Sequence, residues 1–255
     1  MIAKTQEEIS ILREGGRRLA KHLQVLKEMV KPDLPVRALE IKALEMIEKD
    51  GDTPAFLGYR PGKSEKPYPS ALCVSVNDCL VHGPASENEG VIHNGDIVSL
   101  DFGIRHKGLF TDAAVTTIAG EASEKDARLV RGTYEALEAG IAAATLGNTT
   151  GDIGYAVEKI AKKYGFGFPR NLSGHGVGAR VHEEPHVPNF GSPGTGVKLM
   201  EGLVIAIEPM FALGGGEVFL DSDGHSYRTK DGSRAAHAEH TIIVTKAGPE
   251  ILTKI

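Results

Sequence analysis

Apolar residues recur at helical spacing over residues 5–30, at Ile9, Leu12, Leu19, Leu23, Leu26 and Val30. That period predicts an amphipathic helix, ended by Pro32 and Pro35. Val36, Leu39, Ala43 and Ile47 predict a second helix, stopped at Gly51. Residues 52–70 read as loop, because GYRPGKSEKPYP is crowded with Gly, Pro and charge. From residue 71 the pattern changes to strands: ALCVSVND, DIVSLDFGI and LFTDAAVTTI. The second half repeats the order. Helical pattern covers 124–144 and 152–163, and strand-like runs follow at LVIAIEPMF, VFLDS and HTIIVTK.

The repetition extends to single residues. Leu39, Ala43, Met46 and Gly51 align with Ile153, Val157, Ile160 and Gly165 at one constant offset. GDIVSLD (95–101) aligns with GLVIAIE (202–208), and DAAVTTIAG (112–120) resembles EHTIIVTKAG (239–248). The expectation is one catalytic domain over residues 1–255. It would be built from two copies of a helix-helix-strands unit, approximately 1–120 and 121–255, related by an approximate two-fold.

Composition narrows the function. The chain has 255 residues, a formal net charge of -5 and 25% charged residues. A mildly acidic balance argues against nucleic-acid binding, which leans on a Lys/Arg surplus. No apolar run reaches the length of a membrane span, and MIAKTQEEIS has no apolar signal core. The two cysteines, Cys73 and Cys79, make no disulfide framework and fit a reducing cytosol. A cytoplasmic location is therefore expected.

Candidate chemistry sits at strand ends. Asp101 ends one strand and Asp112 opens the next, so a hairpin of 97–102 with 109–118 would place both near one end. Glu208 and Glu239 occupy the matching places in the second half. Four buried carboxylates repel one another and need compensation. Two divalent cations supply four positive charges against four negative. His175, between glycines in NLSGHGVGARVHEEPH, can approach a shared centre closely. One histidine with four carboxylates suits Mn, Fe(II), Co or Zn better than a metal selected by thiolates. Such a pair of ions lowers the pKa of a bridging water and clamps a tetrahedral intermediate.

The segment His182-Glu183-Glu184-Pro185-His186 also spells H-E-x-x-H. That zinc motif works only on a helix, and Pro185 inside it argues against one.

Taken together, His82-Gly83, Asp101 and Asp112 eleven residues apart, GHGVG around His175, His182-Glu-Glu-Pro, Ile207-Glu208-Pro209-Met210 and Glu239-His240-Thr241 resemble the methionine aminopeptidases, over nearly the whole chain and in order. The resemblance implies the pita-bread fold. This is an α/β (α+β) duplicated unit with a central antiparallel sheet and flanking helices. It implies removal of the initiator methionine from nascent chains whose second residue is small. The short intervals from His182 to Glu208 and from Glu208 to Glu239 resemble type I, the bacterial form.

The resemblance also implies roles. Asp101, Asp112, His175, Glu208 and Glu239 would be the ligands of two divalent ions, Asp112 and Glu239 bridging them. One ion would take Asp112, His175, Glu208 and Glu239; the other would take Asp101, Asp112 and Glu239. Glu208 would also be the acid/base, and His82 and His182 would be catalytic hydrogen-bond donors to the substrate. Tyr59, Tyr68, Cys73, Val181 and His225 would form the substrate pocket. Partners would be nascent polypeptide N-termini and the ribosome, with the enzyme a monomer, no nucleic-acid specificity and no membrane.

Departures surround the pocket. Pro84 directly follows Gly83 where the family has one intervening residue, Val181 stands where an aromatic is common, and His225 stands where Trp is frequent. The loop GYRPGKSEKPYP is longer than usual. His22, His93 and His106 read as surface histidines, and His186 and His237 as unassigned neighbours of the site. A proline-type dipeptidase of the same fold would need a separate N-terminal domain, for which this chain leaves no room. A metal-free binding module would have lost ligands, and here all five are filled.

Overall fold

Capping chemistry sets the ends of the four helices in the computed structural model, which describes residues 1–60, 62 and 66–254. Helix α1 (Gln6–Met29) opens with a capping box, Thr5 accepting from the Glu8 amide while Glu8 accepts from the Thr5 amide. Helix α2 (Val36–Asp50) ends at Gly51 in the left-handed conformation. Helix α3 (Glu124–Ala143) starts at Ser123. Helix α4 (Thr150–Tyr164) has a Thr149–Asp152 capping box and a left-handed Gly165 at its end. All four lie where the apolar period puts them, to within two residues.

The strands are β1 (Thr53–Pro54), β2 (Leu72–Val76), β3 (Cys79–Val81), β4 (Ile97–His106), β5 (Leu109–Ile118), β6 (Ser173–Gly176), β7 (Glu183–Pro188), β8 (Val204–Ile207), β9 (Met210–Ala212), β10 (Val218–Leu220), β11 (Tyr227–Thr229), β12 (Ala235–His237), β13 (Glu239–Thr245) and β14 (Gly248–Ile251). Nine form one sheet in the order β1-β4-β5-β13-β8-β6-β7, with β2 also on β4 and β14 also on β13. Every pairing in it is antiparallel. Two smaller ribbons, β10-β11-β3 and β12-β9, stand beside it.

Alternation along β4 decides what faces what. Val98, Leu100, Phe102 and Ile104 pack with Leu19, Leu23 and Leu26 of α1 and with Leu39, Ala43 and Ile47 of α2. Ser99 and Asp101 therefore take the opposite face. In the second half, Leu137, Ile141 and Ile153 of α3 and α4 pack on Ile205, Ile207, Ile242 and Val244. These two apolar layers leave the carboxylate face of the sheet to the cavity. Among the described residues no helix is long and apolar enough to cross a membrane.

Two local expectations are corrected. The run LVIAIEPMF is not one strand. It breaks at Glu208-Pro209 into β8, which pairs β13, and β9, which pairs β12. Pro209 has no N–H for a ladder. His22 and His106 are buried, not exposed. His22 Nε2 lies 3.0 Å from Asp50 and His106 Nδ1 lies 2.6 Å from Asp52. Burial is tolerated because each imidazole meets a carboxylate. Strands β6 and β7 run through a Gly- and Pro-rich stretch that carries no strand pattern, and β7 begins inside HEEPH, so that segment is extended.

Candidate metal centre

The register of three neighbouring strands brings the carboxylates together. Asp101 on β4 is opposite Ala114 on β5, and Ala114 is opposite Glu239 on β13. The small Ala114 side chain leaves room between the two carboxylates on that rung. Asp112, two residues before Ala114, shares its face. Its backbone is fixed by Thr241, whose hydroxyl accepts from the Asp112 amide at 3.0 Å and donates to its carbonyl at 2.6 Å. Glu208 follows β8, and Asn189 donates to its carbonyl at 2.9 Å.

His175 enters from β6, squeezed between β7 and β8. A Cβ on Gly174 would lie 2.4 Å from the Ala206 carbonyl oxygen, and one on Gly176 would lie 2.2 Å from that of Glu184. Neighbouring backbones thus come too close for any side chain at either flank, which explains the Gly-His-Gly sequence. His175 Nδ1 lies 2.9 Å from the Gly176 carbonyl, and this contact leaves Nε2 to face the carboxylates. Nε2 lies 3.4 Å from Glu208 and 3.9 Å from Asp112.

Three overlapping sets place one donor atom from each member within 4.8 Å of the others: Asp101, Asp112 and Glu239; His175, Glu208 and Glu239; and Asp112, His175 and His182. All five residues expected as ligands are buried. Burial, reinforced by neighbouring carboxylates, pushes Asp101, Glu208 and Glu239 well above the ordinary carboxylate range. Burial pushes Asp112 up to about 7. Asp101 Oδ1, Asp112 Oδ1 and Glu239 Oε1 have no hydrogen-bond partner among the described residues. Oxygen atoms so enclosed and unpaired have the chemistry of a divalent-cation site.

His82 and His182 face the same cavity, of about 970 Å³. His82 follows β3 in a left-handed conformation, φ 62°. Its ring meets Tyr227 edge-on at 5.7 Å. His182 packs edge-on against His175 at 4.3 Å and beside Tyr59 at 4.8 Å. Enclosure lowers His82 to about 4. Burial, with His175 adding, lowers His182 to about 2. Both are therefore neutral near pH 7, each with one N–H to donate.

Tyr59, Tyr68, Cys73 and His225 line the cavity, together with Phe56, Val81, Leu172, Met210, Leu220 and Tyr227. His225 meets Tyr68 edge-on at 5.4 Å. Val181 is the exception. It is buried in a cluster with Phe56, Tyr68 and Cys73 behind the cavity surface. Of the long loop, Pro61, Lys63, Ser64 and Glu65 lie outside the described residues. His237 was left unassigned by the sequence, yet the structure sets it against the carboxylates. Its Nε2 lies 3.5 Å from Glu208 and 3.9 Å from Glu239. The only signal was its place two residues before Glu239, on the same face of an extended chain.

The sequence pattern of metallopeptidase family M24 matches residues 10–246. The chain belongs to metallopeptidase family M24. Among curated relatives, the methionine aminopeptidase of Aquifex aeolicus is 46% identical over 98% of both chains. That of Clostridium perfringens is 41% identical over 100% of this chain and 99% of the relative. The crystal structure of methionine aminopeptidase from Thermotoga maritima superposes with a TM-score of 0.94 at 42% identity, covering all of both chains. The prolidase of Pyrococcus furiosus superposes at 0.79 with 26% identity, but this chain covers only 66% of it. The fold is the pita-bread fold common to these M24 structures, as the resemblance implied. An M24 metallopeptidase uses a divalent metal, and the buried, unpaired carboxylates beside His175 fit one.

Proposed function

We propose that this chain removes the N-terminal methionine from newly made polypeptides whose second residue is small. The carrying observation is the convergence of Asp101, Asp112, His175, Glu208 and Glu239 on one floor of the cavity. Full-length similarity to methionine aminopeptidases supports the same reading. In our reading the centre holds two divalent ions. Asp112, His175, Glu208 and Glu239 would hold one; Asp101, Asp112 and Glu239 would hold the other. Bound there, such ions supply Lewis acidity and a nucleophilic water at neutral pH. Mn, Fe(II), Co and Zn all accept this donor set.

The chain's own groups do the rest. The wall of Tyr59, Tyr68, Cys73 and His225 encloses the methionine side chain and excludes water. Glu208 takes a proton during attack on the peptide carbonyl and returns it to the departing amine. Neutral His82 and His182 donate hydrogen bonds to the oxygen on which negative charge develops. In this reading, a confined space beyond the scissile bond would restrict the second residue. We further read the enzyme as a cytoplasmic monomer acting on nascent chains at the ribosome.

The test is methionine release from the peptides Met-Ala-Ser and Met-Lys-Ser by metal-loaded protein. Release from the Ala peptide alone is expected. Equal release from both would refute the small-residue rule, and release from neither would refute the function.

A further inference from the structure

His237 is the one buried imidazole at the centre that no role above uses. It ends β12, two residues before Glu239, and is 1% exposed. Among the described residues, neither ring nitrogen has a hydrogen-bond partner. A buried polar group left unpaired in a finished site calls for an explanation. What faces it is the Glu208 carboxylate at 3.5 Å and the Glu239 carboxylate at 3.9 Å from Nε2. These are approach distances, and contacts of this kind tighten when a site is loaded.

The backbone of His237 is held with unusual care. Thr116 Oγ1 donates to its carbonyl at 2.5 Å. Its amide donates to both Ser99 Oγ, at 3.3 Å, and Thr116 Oγ1, at 3.2 Å. The two hydroxyls are themselves 2.7 Å apart. Ser99 and Thr116 are opposite one another on β4 and β5, two residue pairs from Asp101 and Ala114 and on the same face. Tyr134 of α3 then brackets Thr116, accepting from its amide and donating to its carbonyl. A buried hydroxyl pair on the hairpin that carries Asp101 and Asp112 thus fixes the peptide that aims His237 at Glu208 and Glu239.

We infer that His237 is a positioning residue: its Nε2–H binds the Glu208 carboxylate, and so orients Glu208 both as metal donor and as proton carrier. The inference rests on the metallopeptidase reading above. It assigns His237 no place among the metal ligands and no contact with substrate. Groups that orient metal-binding carboxylates are worth about 10–100-fold in affinity or activity.

Three variants test it: His237→Ala, His237→Gln and His237→Asn. Gln carries an N–H that reaches Glu208, whereas Asn is polar but too short. The readouts are calorimetric Mn(II) binding to chelator-stripped protein, the visible spectrum of the Co(II)-loaded protein, and kcat and KM on Met-Ala-Ser. The Ala and Asn variants are expected to keep the number of bound ions, weaken Mn(II) affinity, alter the Co(II) bands and lose about 10–100-fold in kcat with KM held. Gln is expected to restore most of each loss. If Gln and Asn behave alike, or if both keep wild-type kcat and Mn(II) affinity, the inference is overturned. If the variants lose an ion outright, His237 is a ligand and the inference is also wrong. A wild-type protein that binds no Mn(II) or releases no methionine would fail the underlying reading instead, before any variant is compared.

Discussion

Asp101, Asp112 and Glu239 sit on three adjacent strands of the main sheet, on backbone locked by ladder bonds and by Thr241. Tyr59 and Tyr68, on the apolar wall of the same cavity, sit on the loop between β1 and β2. That loop is tied back by the Tyr68 amide, which donates to the Tyr59 carbonyl, by the Gly58 amide, which donates to the Tyr68 carbonyl, and by Glu40, which accepts from the Ala71 and Leu72 amides at 2.7 and 2.9 Å. The floor needs donor atoms at fixed separations, and sheet register supplies them. The wall needs only shape, and a loop supplies that while tolerating change. Among the described residues, the departures from family pattern at Pro84, which bridges Cys73, at Val181 and at His225 fall on the wall or near it, and none falls on the floor.

Substitutions can break this contrast. Asp112→Ala, on the floor, is expected to abolish metal binding and lower methionine release by about a thousandfold or more, since the ions' contribution is several kcal/mol. His182→Ala is expected to keep the metal and lose about a hundredfold in kcat, the effect of one lost oxyanion donor. Metal analysis beside kinetics separates the two, and an empty site in His182→Ala would contradict the division between ligands and donors. On the wall, Tyr68→Ala is expected to raise KM about tenfold, with metal content unchanged, by removing apolar contact to the methionine side chain. A loss of metal in that variant would tie wall to floor.

Acid-base linkage sharpens the contrast further. Burial raises Asp112 from the ordinary carboxylate range to about 7, so the stripped protein favours its protonated form. That contribution to stability is present at low pH and is lost as pH rises through about 7. Metal offsets the loss by binding the ionised form. The rise in unfolding temperature on adding Mn(II) is therefore expected to be larger at pH 7 than at pH 5. Burial moves the imidazole of His240 the other way, down to about 4. Its contribution is present above the ordinary histidine value and lost as pH falls from about 6.5 toward 4. His240→Gln is expected to reduce the acid-side fall in melting temperature by a few degrees, at about 2–4 °C per kcal/mol. An unchanged fall would show that His240 titrates as an exposed group.

The floor was the more legible part in the sequence. Asp101, Asp112, Glu208 and Glu239 each adjoin a strong apolar run, and strand periodicity alone locates such runs. His175 could be singled out because glycines on both sides of a histidine are rare without a steric cause. The rest depended on contacts that periodicity does not carry. His22 and His106 are inside because Asp50 and Asp52, at the end of α2, reach them in space. Strands β6 and β7 form from glycines and prolines, which have little strand preference of their own. Their pairing is imposed by β8 beside them. His237 looked ordinary because its brace, Ser99 and Thr116, lies more than a hundred residues away.

The central claim is that the carboxylate floor is a divalent-metal centre for peptide hydrolysis. The most direct test is to strip the protein with a chelator and add Mn(II) stepwise, following ion binding by calorimetry and methionine release from Met-Ala-Ser together. No release from the stripped protein is expected, with activity returning as the ions bind and saturation at two per chain. Full activity in the stripped protein, or saturation of the site with no release, would contradict the account.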